Sequence, residues 1–168
     1  MMWKLALIVP AIILAGPLAA IAFGMVDVTR PWYVGHREPA GLAPDPATTS
    51  EAVVQVYAAR TLGWRGAFGL HTWIAAKPRD AKEYTVYEVI GWRKYRGLSV
   101  YVAHNRAPDG YWFGNKPWIV TELRGDAAEA AMPRLAAALD SYPYKDSYQM
   151  WPGPNSNTFT AHVGREVP

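Results

Sequence analysis

Phe68-Gly69-Leu70-His71-Thr72-Trp73-Ile74-Ala75-Ala76, residues 68–76, is the stretch on which the reading of the fold turns. Successive side chains of a strand point to opposite faces. Gly69, His71 and Trp73 therefore share one face, and Phe68, Leu70, Thr72 and Ile74 share the other. Working outward, residues 52–59 carry Val53, Val54, Val56 and Tyr57, a β-branched and aromatic content that favours a strand. Residues 84–91 form another, with Thr85, Tyr87 and Val89 opposite Val86, Glu88 and Ile90. Residues 98–103 and 118–123 read as further strands. Asp109-Gly110 is a tight-turn signal, from which residues 111–113 are expected to begin a return strand.

After residue 125 the period changes. Asp126 can cap a helix that places Met132, Leu135, Ala136 and Leu139 on one face. Pro133 argues for a kink, or for a start nearer Glu129. A loop with Pro143, Pro152 and Pro154 leads to a final helix over residues 156–165, capped by Asn155 or Ser156. The expected class is α+β: one antiparallel-sheet domain with C-terminal helices, over residues 51–168.

Two segments precede it. Residues 5–26 are uncharged, long enough for a transmembrane helix, and the two prolines within them, Pro10 and Pro17, are tolerated in such helices. Residues 1–26 are thus expected to be a retained anchor; the run exceeds a usual signal-peptide core, although Ala19, Ala20 and Ala22 supply small residues near a plausible cut. Lysine and arginine are nearly balanced across the span, and the short N-terminal stub places the N-terminus in the cytoplasm. The expected location is a bacterial inner membrane, crossed once, with the C-terminal domain in the periplasm. Residues 27–50 are a linker, denied regular structure by Pro31, Pro39, Pro44 and Pro46. Trp32 and Tyr33 suit the headgroup layer, or packing against the domain.

Composition limits function. The chain has 168 residues, a formal charge of +3 and no cysteine. That charge is small and scattered, which argues against nucleic acid as a partner. Thiolate metal sites and cysteine nucleophiles are excluded. His36, His71, His104 and His162 lack metal-ligand spacing, so neither metal nor cofactor is expected. Residues 92–96 mix aromatic and basic side chains, as a lipid or partner contact or as a charged turn, and residues 111–113 with Trp118 form either an exposed aromatic patch or core.

Candidate chemistry lies in two stretches: residues 69–74, with a histidine on a strand, and Trp151-Pro152-Gly153-Pro154-Asn155-Ser156-Asn157-Thr158-Phe159, with a serine where a helix begins. With Glu88-Val89-Ile90-Gly91-Trp92 and Arg106-Ala107-Pro108-Asp109-Gly110-Tyr111-Trp112, these stretches resemble the bacterial domain-of-unknown-function 3750 family. The resemblance covers roughly residue 52 to the end and is most specific at residues 152–159; it carries no established activity. Family members continue past the position of Pro168, so it implies a shortened C-terminus here.

A more distant similarity, in motif order, is to circularly permuted papain-like proteins such as the lecithin retinol acyltransferase relatives. It implies a permuted papain-like fold in which His71 is base, Ser156 nucleophile and Glu88 the partner that orients His71, with Asn155, Asn157 and Trp73 as motif residues. Serine departs from that pattern, being harder to deprotonate than a thiol. Each residue also has a structural alternative: Ser156 as helix cap, His71 as packing residue, Glu88 paired with Arg93 or Lys94. The first expectation is a non-catalytic accessory or binding subunit of an inner-membrane protein complex, in contact with the lipid bilayer. The alternatives are a serine hydrolase or acyltransferase acting on a peptide, amide or lipid ester, and a lipid- or cell-wall-binding module.

Overall fold

The computed structural model describes the backbone of residues 2–167 and the side chains of residues 8–167. Lys4 and Leu5, at the start of the expected anchor, have side chains outside that range. Five strands, β1 (Val53–Arg60), β2 (Leu70–Lys77), β3 (Thr85–Val89), β4 (Tyr101–Asn105) and β5 (Trp118–Arg124), make one antiparallel sheet. Its spatial order is β4-β3-β2-β1-β5. The alternation read from residues 68–76 is the alternation observed, because β2 is covered on both faces.

Even-numbered residues of β1 and β2, including Val54, Ile74 and Ala76, face α2 (Gly125–Ser141) and α3 (Ser156–Glu166). Leu135, Leu139, Phe159 and Val163 fill that layer. Odd-numbered residues, including Val53, Tyr57, Trp73 and Ala75, face a layer without regular structure, in which Trp112, Phe113, Leu42 and Ala43 pack. The prolines do deny residues 27–50 helix and strand, yet the segment is fastened down. Buried Asp109 accepts hydrogen bonds from the amides of Leu42 (2.5 Å) and Ala43 (3.3 Å). Lys77 is fully buried, and its ammonium donates to the carbonyls of Thr49, Glu51 and Pro78 at 2.9, 2.7 and 3.3 Å. Three carbonyl acceptors offset the cost of removing that charge from water.

Several local expectations are corrected. Residues 111–113 form no strand: Trp112 and Asn115 close a tight turn on each other, and Phe113 takes φ +50°. The Trp112 and Phe113 rings belong to the core, while Tyr111 is half-buried and Trp118 is exposed. Strand β4 begins at Tyr101 rather than near residue 98, because a 3-10 helix (Gly91–Arg96) and the residues after it consume the approach. Helix α2 is continuous from Gly125 through Pro133, so no later start near Glu129 is needed. Asp126 is not its cap; it sits in the first turn and binds Arg79 at 2.6 Å, while Arg79 also pairs with Glu129 at 2.5 Å.

Helix α1 (Met2–Ala22) contains Pro10 and Pro17 and exposes Ile8, Val9, Ile12, Ile13 and Leu18. It meets the body at its C-terminal end, where Ala20 is buried, against the 3-10 helix Gly63–Ala67 between β1 and β2. Among the described residues, no helix is long and apolar enough to cross a membrane.

Candidate functional site

The first pairs of β2 are made with β1 alone. The β2–β3 ladder runs only from Ala76↔Thr85 to Trp73↔Glu88, and β3 turns away after Val89. The Thr72 amide next along β2 therefore has no β3 carbonyl opposite it. The Ser156 hydroxyl takes that place, accepting from Thr72 N at 3.4 Å, a long and weak hydrogen bond. Ser156 is buried, only 5% exposed, at the first position of α3.

The helix cap belongs to Asn155, which settles the choice left open by the sequence. Its side chain accepts from the amides of Asn157 (3.0 Å) and Thr158 (3.1 Å), and Thr158 Oγ1 accepts from the Asn155 amide at 2.8 Å. This is a complete capping box. Ser156 is thus released from capping, and its own amide, at the helix start, has no intrahelical acceptor. Asn155→Ala is expected to cost about 1 kcal/mol, read as a lowered urea midpoint with an unchanged slope. Asn157 reaches the sheet: Thr72 Oγ1 donates to its side-chain oxygen at 3.1 Å. Gly91 holds the preceding loop close, since a side chain there would collide with the Tyr148 ring. The loop's Trp151-Pro152 and Gly153-Pro154 bonds are cis.

His71 precedes Thr72 and projects to the opposite side of the sheet. It is 6% exposed, stacked on Trp112 with ring centroids 3.6 Å apart and on Trp73 at 5.6 Å. Trp73 is itself fixed by its indole N–H, which donates to the Pro108 carbonyl at 2.7 Å. His71 Nε2 meets Glu88 Oε2 at 2.9 Å. The other carboxylate oxygen meets His104 Nε2 at 2.7 Å and Arg106 Nε and Nη2 at 3.3 and 3.2 Å. Burial acts to raise the Glu88 pKa, but the hydrogen bonds from His104 and His71 and the Arg106 charge outweigh it. The carboxyl is held well below its ordinary range and stays ionised.

An ionised acceptor fixes the tautomer of His71: Nε2 carries the proton and Nδ1 keeps its lone pair. Burial lowers the His71 pKa, outweighing Glu88, so the ring is neutral near pH 7. Nδ1 bonds to no described group, and it is not sealed either; Tyr142 Oη is the one fully buried, unpartnered side-chain atom among the described residues. Ser156 and His71 share no hydrogen bond among the described residues. They are placed one residue apart along β2, the hydroxyl on the Thr72 amide and the imidazole on the residue before it.

The sequence-derived candidates fall into two groups: His71, Glu88 and Trp73 on one face of the sheet, and Asn155, Ser156 and Asn157 at the start of α3, with Thr72 as the strand residue between them. Trp32 and Tyr33 lie elsewhere, exposed, with their rings edge to face at 5.9 Å. Glu88 does not pair with Arg93, whose guanidinium binds the Ser99 carbonyl at 2.6 Å instead. His104, Arg106 and Trp112 are site residues that sequence reasoning missed. His104 and Arg106 are two apart in sequence, but their approach to Glu88 depends on the β3–β4 register, which pairs Glu88 with Val102 and Val86 with His104. No His, Asp and Glu cluster among the described residues is arranged to hold a metal ion. Two concavities among the described residues, of about 510 and 340 Å³, are lined by neither Ser156 nor His71. The larger includes Arg106 and Asp109 and so adjoins the Glu88 cluster.

Comparison with curated proteins and with solved structures finds no match. The profile of a family described as "Protein of unknown function (DUF3750)" matches residues 51–168, the whole of the sheet-and-helix body. On that match, and with the His71 strand and the Asn155-Ser156 helix start in place, the chain belongs to the DUF3750 family.

Proposed function

We propose that the protein is a membrane-anchored serine hydrolase or acyltransferase acting on a peptide, amide or lipid ester. The observation that carries this reading is the tautomer: ionised Glu88 holds Nε2–H of a buried, neutral His71 and leaves its Nδ1 lone pair without a partner among the described residues, one residue along β2 from Thr72, whose amide meets the Ser156 hydroxyl. Ser156 Oγ attacks the carbonyl carbon while its proton passes to Nδ1. The oxyanion forms at the start of α3, where the free Ser156 amide and the helix dipole stabilise negative charge. His71 returns the proton to the leaving group, and water or a second nucleophile releases the acyl group. The absence of a Ser156–His71 hydrogen bond fits a free enzyme, since such contacts commonly tighten only when substrate binds.

Anchoring is part of the proposal: α1 inserts in the inner membrane, with the body on the periplasmic side. An all-round apolar helix needs an apolar surrounding, and α1 exposes Ile8, Ile12, Ile13 and Leu18 to the medium. The test is turnover of chromogenic esters and amides by the full chain in detergent. Activity that depends on Ser156 and whose acid limb is centred below pH 6.5, the ordinary histidine value, is expected, because burial makes the base resist protonation. An acid limb centred at or above that value, or turnover unaltered by Ser156→Ala, would contradict the reading.

A second reading is an accessory subunit of an inner-membrane complex. It is favoured by the bare aromatic rings of Tyr95 and Trp151, 91% and 84% exposed. Native complexes extracted in mild detergent would run as a larger assembly on that reading and as the free chain on the first.

A further inference from the structure

The connection between β1 and β2, residues 61–69, carries two large apolar rings into solvent. Trp64 is 57% and Phe68 58% exposed, and their rings meet edge to face at 6.1 Å. The Arg65 guanidinium lies 5.0 Å from the Trp64 ring. Residues 61–69 contain no acidic side chain. This is the part of the body that α1 touches. The chain leaving α1 continues the same character, exposing Phe23, Met25, Val28, Trp32, Tyr33 and Val34.

We infer that residues 61–69 are a second lipid contact, seated in the headgroup layer beside the point where α1 leaves the bilayer. The inference rests on the anchoring part of the proposed function. Aromatic rings with an adjacent arginine suit that layer: the rings enter the acyl boundary and the guanidinium stays at phosphate level. Anionic headgroups add attraction for Arg65. Two attachment points fix the tilt of the body where a single helix would leave it free to swivel. They also turn the start of β2, and with it His71, toward the bilayer, since His71 follows Phe68 by three residues.

The chain has no cysteine, so one introduced thiol takes a nitroxide label at a single position. Full chains carrying Ile12→Cys, Trp64→Cys, Phe68→Cys or Lys82→Cys are reconstituted in vesicles of phosphatidylethanolamine and phosphatidylglycerol. Relaxation by oxygen, which partitions into lipid, is compared with relaxation by a water-soluble nickel chelate. Labels at 64 and 68 are expected to show an oxygen-to-nickel ratio several-fold above that at 82, which lies beyond the opposite end of β2. Water-like ratios at 64 and 68 with a lipid-like ratio at 12 would overturn this inference and leave the anchor standing. A water-like ratio at 12 as well would overturn both. Shielding of 64 and 68 from both reagents would mean a protein contact and would equally overturn the lipid assignment.

Discussion

Glu88→Ala is expected to lower the unfolding free energy by about 3 kcal/mol, the low end of the loss when one partner of a buried ionic cluster is removed. The carboxylate is 1% exposed and answers three groups at once: His71, His104 and Arg106. Without it, Arg106 retains a charge among buried aromatic rings, 5.4 Å from the Trp73 ring, and His71 loses the one side-chain hydrogen bond it makes among the described residues. The low end applies because His104 and Arg106 keep side-chain exposures of 36% and 25%, and water takes up part of what the carboxylate gave. Against a total stability of about 5–15 kcal/mol, the loss is large.

The same cluster sets the response to acid. Glu88 has a folded pKa below its ordinary 4.5, so its contribution is complete above that value and fades as pH falls through the folded one. His71 also has a lowered folded pKa, so the unfolded chain binds its proton first and stability begins to fall below 6.5. Both slopes have one sign. Urea midpoints are therefore expected to drop on acidification, in a first step below 6.5 from His71 and a steeper one below 4.5 from Glu88. Glu88→Ala should abolish the second contribution; its persistence would show that the carboxylate is not held as described.

Ser156→Ala is expected to reduce ester turnover by about 10⁴–10⁶-fold, the scale on which a nucleophile acting with its base is lost. His71→Ala should fall in the same range, and the double variant little further, because the two act as one unit. The fold should survive Ser156→Ala. That hydroxyl contributes one hydrogen bond of 3.4 Å, to the Thr72 amide, while the cap at the helix start rests on Asn155. A collapse of turnover with an unchanged urea midpoint separates chemistry from structure.

How far the sequence carried the fold depended on what each segment packs against. Strands β1, β2 and β3 were legible because their apolar side chains meet a filled layer on each face, whereas β5, a mostly exposed edge strand, was legible only as an apolar run. Residues 111–113 misled because Trp112 and Phe113, aromatic residues with high strand preference, are used here as core wedges in an irregular layer, where a tight turn overrides propensity. In α2, Pro133 suggested a break that the structure does not need, and Asp126 in its first turn serves Arg79, together with Glu129, rather than a cap.

The candidate site was legible in its parts and not in its wiring. His71 and Glu88 could be paired by supposing their strands adjacent, and they are. His104 and Arg106 could not, because their approach to Glu88 depends on the β3–β4 register, which local sequence does not fix. Asn155 and Ser156 were interchangeable as caps until α3 had a defined first residue. Trp112 gave no sign in sequence that its ring would close over His71, since the chain between β4 and β5 that delivers it has no periodicity to read.

The central claim is that His71 makes Ser156 nucleophilic. Its most direct test is treatment of the full chain, in native membranes, with a fluorophosphonate, followed by mass spectrometry of the labelled peptide. One adduct on Ser156, lost in His71→Ala while Asn155 still caps α3, is the predicted result. An unmodified Ser156 in membranes whose other serine hydrolases react fully would contradict it.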